Sequence, residues 1–180
     1  MVYAIVANSK SGNTRMLAEA LAGAVREAGV ELSYAGEVPE SGAEGDEARA
    51  SVAGADAVLA GFWTDKGDCT GEMREFLEGL AGERVFLFGT CGFGGSDEYF
   101  SRILARVAAH LPEDAELAGT AMCQGKMGAG VRRRYEAMLA EDPDSERVKG
   151  MIANFDAALE HPSEADLEGV VAAARAALGF

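Results

Sequence analysis

Six consecutive residues, Ser9-Lys10-Ser11-Gly12-Asn13-Thr14, lie between an apolar run and the start of a helical pattern. A tight, glycine-containing turn at a strand end points successive backbone N–H groups and the positive end of the next helix at one place. The serine and threonine hydroxyl groups add further donors. Such a turn suits a phosphate group and needs no arginine, so all six residues are predicted to contact a phosphate-bearing ligand.

Two other phosphate-binding loops do not match this spacing. A Walker A loop requires a lysine directly after its last glycine, whereas Asn13 follows Gly12. The segment nearest to a dinucleotide fingerprint, Gly92-Phe93-Gly94-Gly95, has Asp97 where the third glycine belongs. The sequence therefore argues against ATP and against an NAD bound in the Rossmann manner.

The first loop resembles the flavodoxin signature, in which Ser/Thr-x-Thr/Ser-Gly-Asn-Thr follows the first strand. In that family the turn holds the terminal phosphate of flavin mononucleotide (FMN), so the resemblance implies FMN as cofactor and electron transfer as function. Three further segments, Gly61 to Gly67, Cys123-Gln124-Gly125-Lys126 and His161-Pro162-Ser163, are similar to a flavodoxin-like subfamily. Its members include the flavodoxin-type partner of bacterial bilirubin reduction.

The loop after the third strand is expected to approach the flavin ring. It contains Trp63, the only tryptophan, which is the first candidate for stacking because its flat face is the largest. The neighbouring Phe62 is the alternative for the exposed position, and packing of Trp63 in the core is the other possibility. Thr64 completes this part of the predicted cofactor site.

The loop after the fourth strand is the second predicted flavin loop. Its glycines allow backbone N–H groups to close on the pyrimidine edge of the ring. Flavodoxins commonly have Gly-Asp-x-x-Tyr here, whereas this chain has Phe93 in the loop and Tyr99 at the start of a helix, where packing is expected. The predicted cofactor-binding residues of this loop are Thr90, Cys91, Gly92, Phe93, Gly94 and Gly95.

Apolar runs that alternate with helical patterns predict the elements that position these loops. Short, mostly apolar strands separated by helices are typical of a parallel sheet covered on both faces. The resemblance implies the strand order 2-1-3-4-5, which places ligands at the carboxyl ends of strands one and three. The predicted fold is thus an α/β, doubly wound, five-stranded parallel sheet. Its strands are Val2 to Ala7, Glu31 to Gly36, Ala55 to Phe62, Arg84 to Thr90 and Glu116 to Cys123.

Helical periodicity predicts the remaining elements of one domain, residues 1–180. The first helix has an apolar face of Leu17, Ala20, Leu21, Ala24, Val25 and Ala28 and stops at Gly29. Glu37 to Glu47 is predicted as an exposed loop before a short second helix. An extra helical segment, Val131 to about Ala140 and about Ser145 to Leu159, precedes a final helix after Pro162, in which Ser163 and Asp166 have the spacing of a capping box.

Composition limits the partners and the compartment. The chain has 180 residues and a net charge of −14, which disfavours nucleic acid and anionic membranes and favours a partner protein with a basic docking face. The start of the sequence has neither a basic segment nor a long apolar stretch, so a cytoplasmic location is expected.

The three cysteines, Cys69, Cys91 and Cys123, are each predicted at or just beyond the end of a strand, so the fold is expected to bring them to one edge. They lack the spacing of a disulfide framework or a structural zinc site. Three functions remain open: an FMN-binding electron carrier, an NAD(P)H-dependent flavin or quinone reductase, and a flavin-free interaction domain.

Overall fold

The computed structural model describes residues 1–40, 42–94 and 96–180. Its centre is a five-stranded sheet in which every neighbouring pair is parallel, in the order β2-β1-β3-β4-β5. The predicted fold class and strand order are therefore confirmed. The strands are β1 (Val2–Ala7), β2 (Glu31–Gly36), β3 (Ala57–Trp63), β4 (Arg84–Cys91) and β5 (Glu116–Gln124).

Three strands differ from the predicted ends. β3 begins later because the backbone N–H of Ala55 donates to the Val52 carbonyl and closes the preceding helix. β3, β4 and β5 each continue one residue further, since Trp63 pairs with Thr90 and Cys91 pairs with Gln124. Residues predicted in loops are thus fixed by the sheet itself.

The described part of the chain has seven helices, and five of them pack on the two faces of the sheet. One face carries a core that includes Leu17 and Val170, and the other a core that includes Met73 and Ile103. The helices are α1 (Asn13–Glu27), α2 (Ala43–Ala53), α3 (Gly71–Glu78), α4 (Asp97–Ala108), α5 (Ala129–Glu141), α6 (Glu146–Ala158) and α7 (Glu164–Leu178). Helices on both faces bury both sides of every central strand, which explains the apolar strand sequences.

Glycine and phenylalanine alternate across the β3–β4 pair. Gly61 lies opposite Phe88, and Phe62 lies opposite Gly89. A Cβ atom on Gly61 would be 2.3 Å from the Phe88 ring, and one on Gly89 would be 2.6 Å from the Phe62 ring. The two rings belong to the cores on opposite faces of the sheet. Each glycine therefore leaves space for the phenylalanine ring that lies opposite it on the neighbouring strand.

Two local predictions need correction. Ala28 is exposed, because α1 ends at Glu27 and Ala28 forms its C-cap. The segment Glu37 to Glu47 is not wholly an exposed loop, because Val38 is buried and α2 already begins at Ala43. Val38 packs in the same core as Val52 of α2, while Ser41 lies outside the described residues.

The extra helical segment is present as α5 and α6, which pack on each other and bury Tyr135 and Phe155. The capping box at the start of α7 is confirmed: the Ser163 hydroxyl accepts from the Asp166 N–H, and the Asp166 carboxylate accepts from the Ser163 N–H. Across the described residues, no helix combines the length and the hydropathy needed to cross a membrane.

Candidate functional site

The segment from Ser9 to Thr14 joins β1 to α1 and presents unpartnered backbone donors. Gly12 has a φ of +88° and, as the N-cap of α1, has no side chain that could accept from the first turn. The Ser9 hydroxyl instead accepts from the Arg15 N–H at 3.2 Å. The backbone N–H groups of residues 10–14 have no hydrogen-bond partner among residues 1–40, 42–94 and 96–180. Donors left free beside the positive end of a helix fit an anionic group.

Thr14 connects the first loop with the end of β4. Its side chain is fully buried, and its Oγ1 lies 2.9 Å from Oγ1 of Thr90. The Thr90 carbonyl accepts from both the backbone N–H and the hydroxyl of Thr64, at 2.9 and 3.0 Å. These contacts link the start of α1 with the ends of β3 and β4, and either hydroxyl group of the Thr14–Thr90 pair can be the donor.

Asn13 connects the same loop to the end of β5. Its Nδ2 donates to the Lys126 carbonyl at 2.9 Å, and a Cβ on Gly125 would lie 2.6 Å from this amide. The Asn13 Oδ1 is buried and has no hydrogen-bond partner in the described chain. A buried acceptor of this kind matches a ligand hydroxyl group.

Trp63 is the last residue of β3 and is half-buried, facing the first loop. The Lys10 ammonium group lies 4.9 Å from the centroid of its ring. Phe62 is 1% exposed and packs in the core against Gly89. The alternative in which Phe62 takes the exposed position is therefore wrong, because successive side chains of a strand point to opposite faces.

The loop after β4 combines a buried start with an exposed tip. Cys91 is buried, whereas Phe93 is 43% exposed, and Gly94 has a φ of +127°. Tyr99 packs half-buried against the core, as predicted. Gly95, which belongs to the predicted site, lies outside the described residues.

Asn154 of α6 braces this loop and was not identified from the sequence. Its Nδ2 donates to the Gly92 carbonyl at 3.0 Å, and its Oδ1 accepts from the Gly94 N–H at 3.3 Å. The same Oδ1 accepts from Nε2 of Gln124 at 3.1 Å, and Gln124 also donates to the Gly92 carbonyl. An asparagine inside a helix is unfavourable without such a partner, which is the one signal that the sequence offered.

The three cysteines lie near the carboxyl edge of the sheet, but on two different faces. Cys69 and Cys91 belong to the core on one face of the sheet, and Cys123 to the core on the other. Burial raises the pKa of the Cys69 and Cys123 thiols to about 12. The strand ends do bring Cys91 and Cys123 to the carboxyl edge of the sheet, where Cys91 pairs with Gln124, and Cys69 follows the end of β3. Burial leaves neither the Cys69 thiol nor the Cys123 thiol activated as a nucleophile.

The segment His161-Pro162-Ser163 lies against the loop after β5, where the His161 carbonyl accepts from the Lys126 N–H at 2.9 Å. The Asp166 carboxylate accepts from the Ser163 N–H at 2.6 Å and lies 2.6 Å from the His161 Nδ1. Burial alone raises the pKa of Asp166, but the hydrogen bonds from Ser163 and His161 outweigh it and lower the pKa. This carboxylate thus fixes the start of α7 beside the site.

A cleft of about 310 Å³ also borders the first loop, through Ser9. Its walls are residues of α1, β1 and β2, including Ala18, Ile5 and Ala35. It therefore lies on the β2 side of β1 and is separate from the predicted crevice, which is formed by the loops after β1, β3 and β4.

Comparisons with known proteins agree with this geometry. A family model described as "Flavodoxin domain" matches residues 4–175. The chain is 42% identical over 173 residues to the flavodoxin-like domain-containing protein BilS of Clostridium symbiosum, covering 93% of this chain and 90% of that protein. It is 32% identical over 112 residues to BilS of Clostridioides difficile, covering 62% and 64% of the two chains. The crystal structure of a WrbA-like flavodoxin from Agrobacterium tumefaciens matches with a TM-score of 0.50 at 17% identity, covering 89% of this chain and 98% of that one.

Proposed function

Because the chain belongs to the flavodoxin domain family, we propose that it binds FMN at the carboxyl ends of β1, β3 and β4 and passes electrons to a partner protein. The observation that carries the proposal is the set of unpartnered N–H groups at residues 10–14, next to the start of α1. FMN supplies the electron chemistry when bound, and the protein binds and orients it.

The phosphate of FMN is assigned to the loop after β1. The backbone N–H groups of residues 10–14 are its main donors, and the exposed Ser11 hydroxyl and the Lys10 ammonium group complete the set. Asn13 Oδ1 is available to accept from a hydroxyl of the ribityl chain. Since riboflavin lacks the phosphate, this loop favours FMN over riboflavin.

The flavin ring is assigned to the space between Trp63 and the loop after β4. Trp63 offers an aromatic face, and residues 92–94 offer backbone groups for the ring edge. Asn154 is not expected to touch the ring, but it holds Gly92 and Gly94 in place. Contacts on both sides would hold the ring in one orientation at the surface of the protein.

The partner is proposed to carry a basic docking face. Four exposed acidic residues follow the strands that form the site: Asp65, Glu72, Asp97 and Glu98. The exposed Phe93 lies in the same loop region and offers an apolar contact at the centre of such an interface. Acidic groups around an exposed aromatic side chain steer a positively charged protein toward the crevice.

The experiment that tests the phosphate assignment is a titration of the flavin-free protein with FMN and with riboflavin, followed by the emission of Trp63. Ser11→Ala is expected to weaken FMN binding by about 10- to 100-fold, because a hydrogen bond to a charged group contributes roughly 1.5–3 kcal/mol. Riboflavin binding should not change. Ser101→Ala, at an exposed serine of α4, is the matched control.

Two results would contradict the proposal. If Ser11→Ala lost FMN binding and riboflavin binding equally, the loop after β1 would not be the phosphate-binding loop. Sustained NADPH oxidation by the FMN-loaded protein alone, at the rate of a typical enzyme of about 10 per second, would favour a reductase over a carrier.

A further inference from the structure

We propose that Asp68, Cys69 and His110 form a binding site for a borderline-soft divalent metal ion, with zinc as the representative ion. One donor atom from each residue lies within 4.8 Å of the other two. The three donors are a carboxylate oxygen, a thiol sulfur and an imidazole nitrogen, which is a mixture that proteins use for zinc. None of these residues belongs to the proposed FMN site, so a failure of either proposal leaves the other unaffected.

A tight turn after β3 places the first two donors. The backbone of Asp65 exchanges hydrogen bonds with Asp68 in both directions, at 2.8 and 3.0 Å. The two central residues, Lys66 and Gly67, have φ values of +51° and +84°, as a type I′ turn requires. The Asp68 Oδ1 then accepts from the Cys69 N–H at 2.8 Å, so that the carboxylate and the thiol are held side by side.

The third donor comes from a different element. His110 follows the C-cap of α4, and its Nε2 lies 3.0 and 3.2 Å from the two carboxylate oxygens of Asp68. These are the separations of neighbouring ligands around a tetrahedral ion, which lie about 3–4 Å apart when each bond is 2.0–2.3 Å long. The ion would therefore replace the His110–Asp68 hydrogen bond without a large movement of either side chain.

The surroundings favour a partly enclosed site with one open side. Cys69 is 4% exposed and belongs to the core, whereas the side chains of Asp68 and His110 are 21% and 18% exposed to solvent. The open side admits the ion and leaves a coordination position for water. Sulfur and imidazole donors select zinc, cobalt or iron over magnesium and calcium, which prefer oxygen ligands.

Metal binding has a defined proton balance. The Cys69 thiol loses its proton to the solvent when the sulfur bonds to the ion. The Nε2–H hydrogen that His110 donates to Asp68 also leaves Nε2, and the neutral ring then carries its hydrogen on Nδ1, so that Nε2 binds the ion. Asp68 remains ionised. No electron is transferred, so the step needs no oxidant or reductant.

The site joins the two segments that follow the crevice strands. Asp68 and Cys69 continue from the loop that begins at Trp63, and His110 ends the helix that begins after the loop of Gly92 and Phe93. A bound ion would tie these two segments together. In its absence the His110–Asp68 hydrogen bond makes the same connection more weakly.

The test is zinc binding to the full-length, FMN-loaded protein after removal of metals, measured by competition with a chromogenic chelator. The wild type should bind one Zn²⁺ per chain. His110→Gln and Cys69→Ser should each lower the affinity by at least about 100-fold, which exceeds the usual effect of losing a hydrogen-bonding partner around a metal. Cys123→Ser is the matched control, because it removes a buried thiol from the other face and should leave zinc binding unchanged.

Cobalt substitution gives a second measurement on the same protein. Co²⁺ bound to Cys69 should give the visible absorption of a tetrahedral cobalt thiolate, present in the wild type and in Cys123→Ser and absent from Cys69→Ser. His110 lies outside the core, so His110→Gln should fold. Its zinc affinity therefore tests the proposal even if Cys69→Ser does not fold. Failure of the wild type to bind stoichiometric zinc, or undiminished binding by His110→Gln, would leave only a His110–Asp68 hydrogen bond and overturn the proposal.

Discussion

The Lys10 ammonium group lies 4.9 Å from the centroid of the Trp63 ring, so the loops after β1 and β3 contact each other across the candidate site. A cation over an exposed aromatic ring contributes about 0.5–1 kcal/mol. The same two side chains are assigned to opposite ends of one ligand, the phosphate and the ring. If FMN binds as proposed, this contact holds Lys10 and Trp63 near their ligand-binding positions before the cofactor arrives.

Replacing Trp63 tests its stacking role. Trp63→Ala should weaken FMN binding by about 10-fold, because aromatic stacking contributes roughly 0.5–1.5 kcal/mol beyond burial. Flavin fluorescence is the measurement, since the variant has no tryptophan. Trp63→Phe retains an aromatic face and should recover most of the affinity; equal affinities of Trp63→Ala and the wild type would assign the ring to another surface.

Asn154 should influence the flavin without touching it. Asn154→Ala removes the hydrogen bonds to Gly92 and Gly94 and should weaken FMN binding by about 10-fold. Asn154→Asp places a negative charge behind the same loop and should lower the midpoint potential, because negative charge disfavours the reduced, anionic flavin. Asp156→Asn on the same helix is the control. Unchanged anaerobic potentials in Asn154→Asp would mean that α6 only packs against the loop.

The glycine–phenylalanine arrangement in β3 and β4 predicts large effects on stability. Gly89→Ala should lower the free energy of unfolding by about 1–3 kcal/mol, because the added methyl group meets the Phe62 ring. The double variant Gly89→Ala, Phe62→Leu should recover part of the loss in urea denaturation. Gly23→Ala provides the contrast: a Cβ there has open space within α1, so it should stabilise the protein by about 0.5–1 kcal/mol.

Asp166 should make stability depend on pH in the acidic range. Its pKa is lowered in the folded protein by the hydrogen bonds from Ser163 and His161. The stabilisation is therefore complete above the unfolded pKa of about 3.9 and is lost as the pH falls through the lower, folded pKa.

Asp166→Asn measures this contribution. The variant should be less stable than the wild type by about 1–2 kcal/mol at neutral pH, and the difference should shrink below about pH 4. Thermal unfolding across the pH range is the measurement. Asp114→Asn is the control, since Asp114 is exposed and makes no hydrogen bond within the described chain. A difference that stays constant down to pH 2 would contradict the argument.

Features that depend on neighbouring residues were predictable from the sequence. The five strands, the turn before α1 and the Ser163–Asp166 capping box all follow from periodicity or from a spacing of a few residues. Features that depend on distant partners were not. The Asn154–Gly92 bond joins residues 62 positions apart, and the Thr14–Thr90 bond joins residues 76 positions apart. The choice between Phe62 and Trp63 required the register of β3, which places Phe62 in a core, and the extra residue at the end of that strand.

The brace from α6 has a consequence for how the protein is made. The ribosome delivers the phosphate loop first, the aromatic residue of β3 next and the loop after β4 later, but the side chain that fixes that last loop arrives only with residue 154. A nascent chain released or cleaved after β5 thus carries the whole sheet and lacks the support of its cofactor loop. If FMN binds as proposed, a chain cut between β5 and α6 should hold FMN more weakly than a chain that contains Asn154.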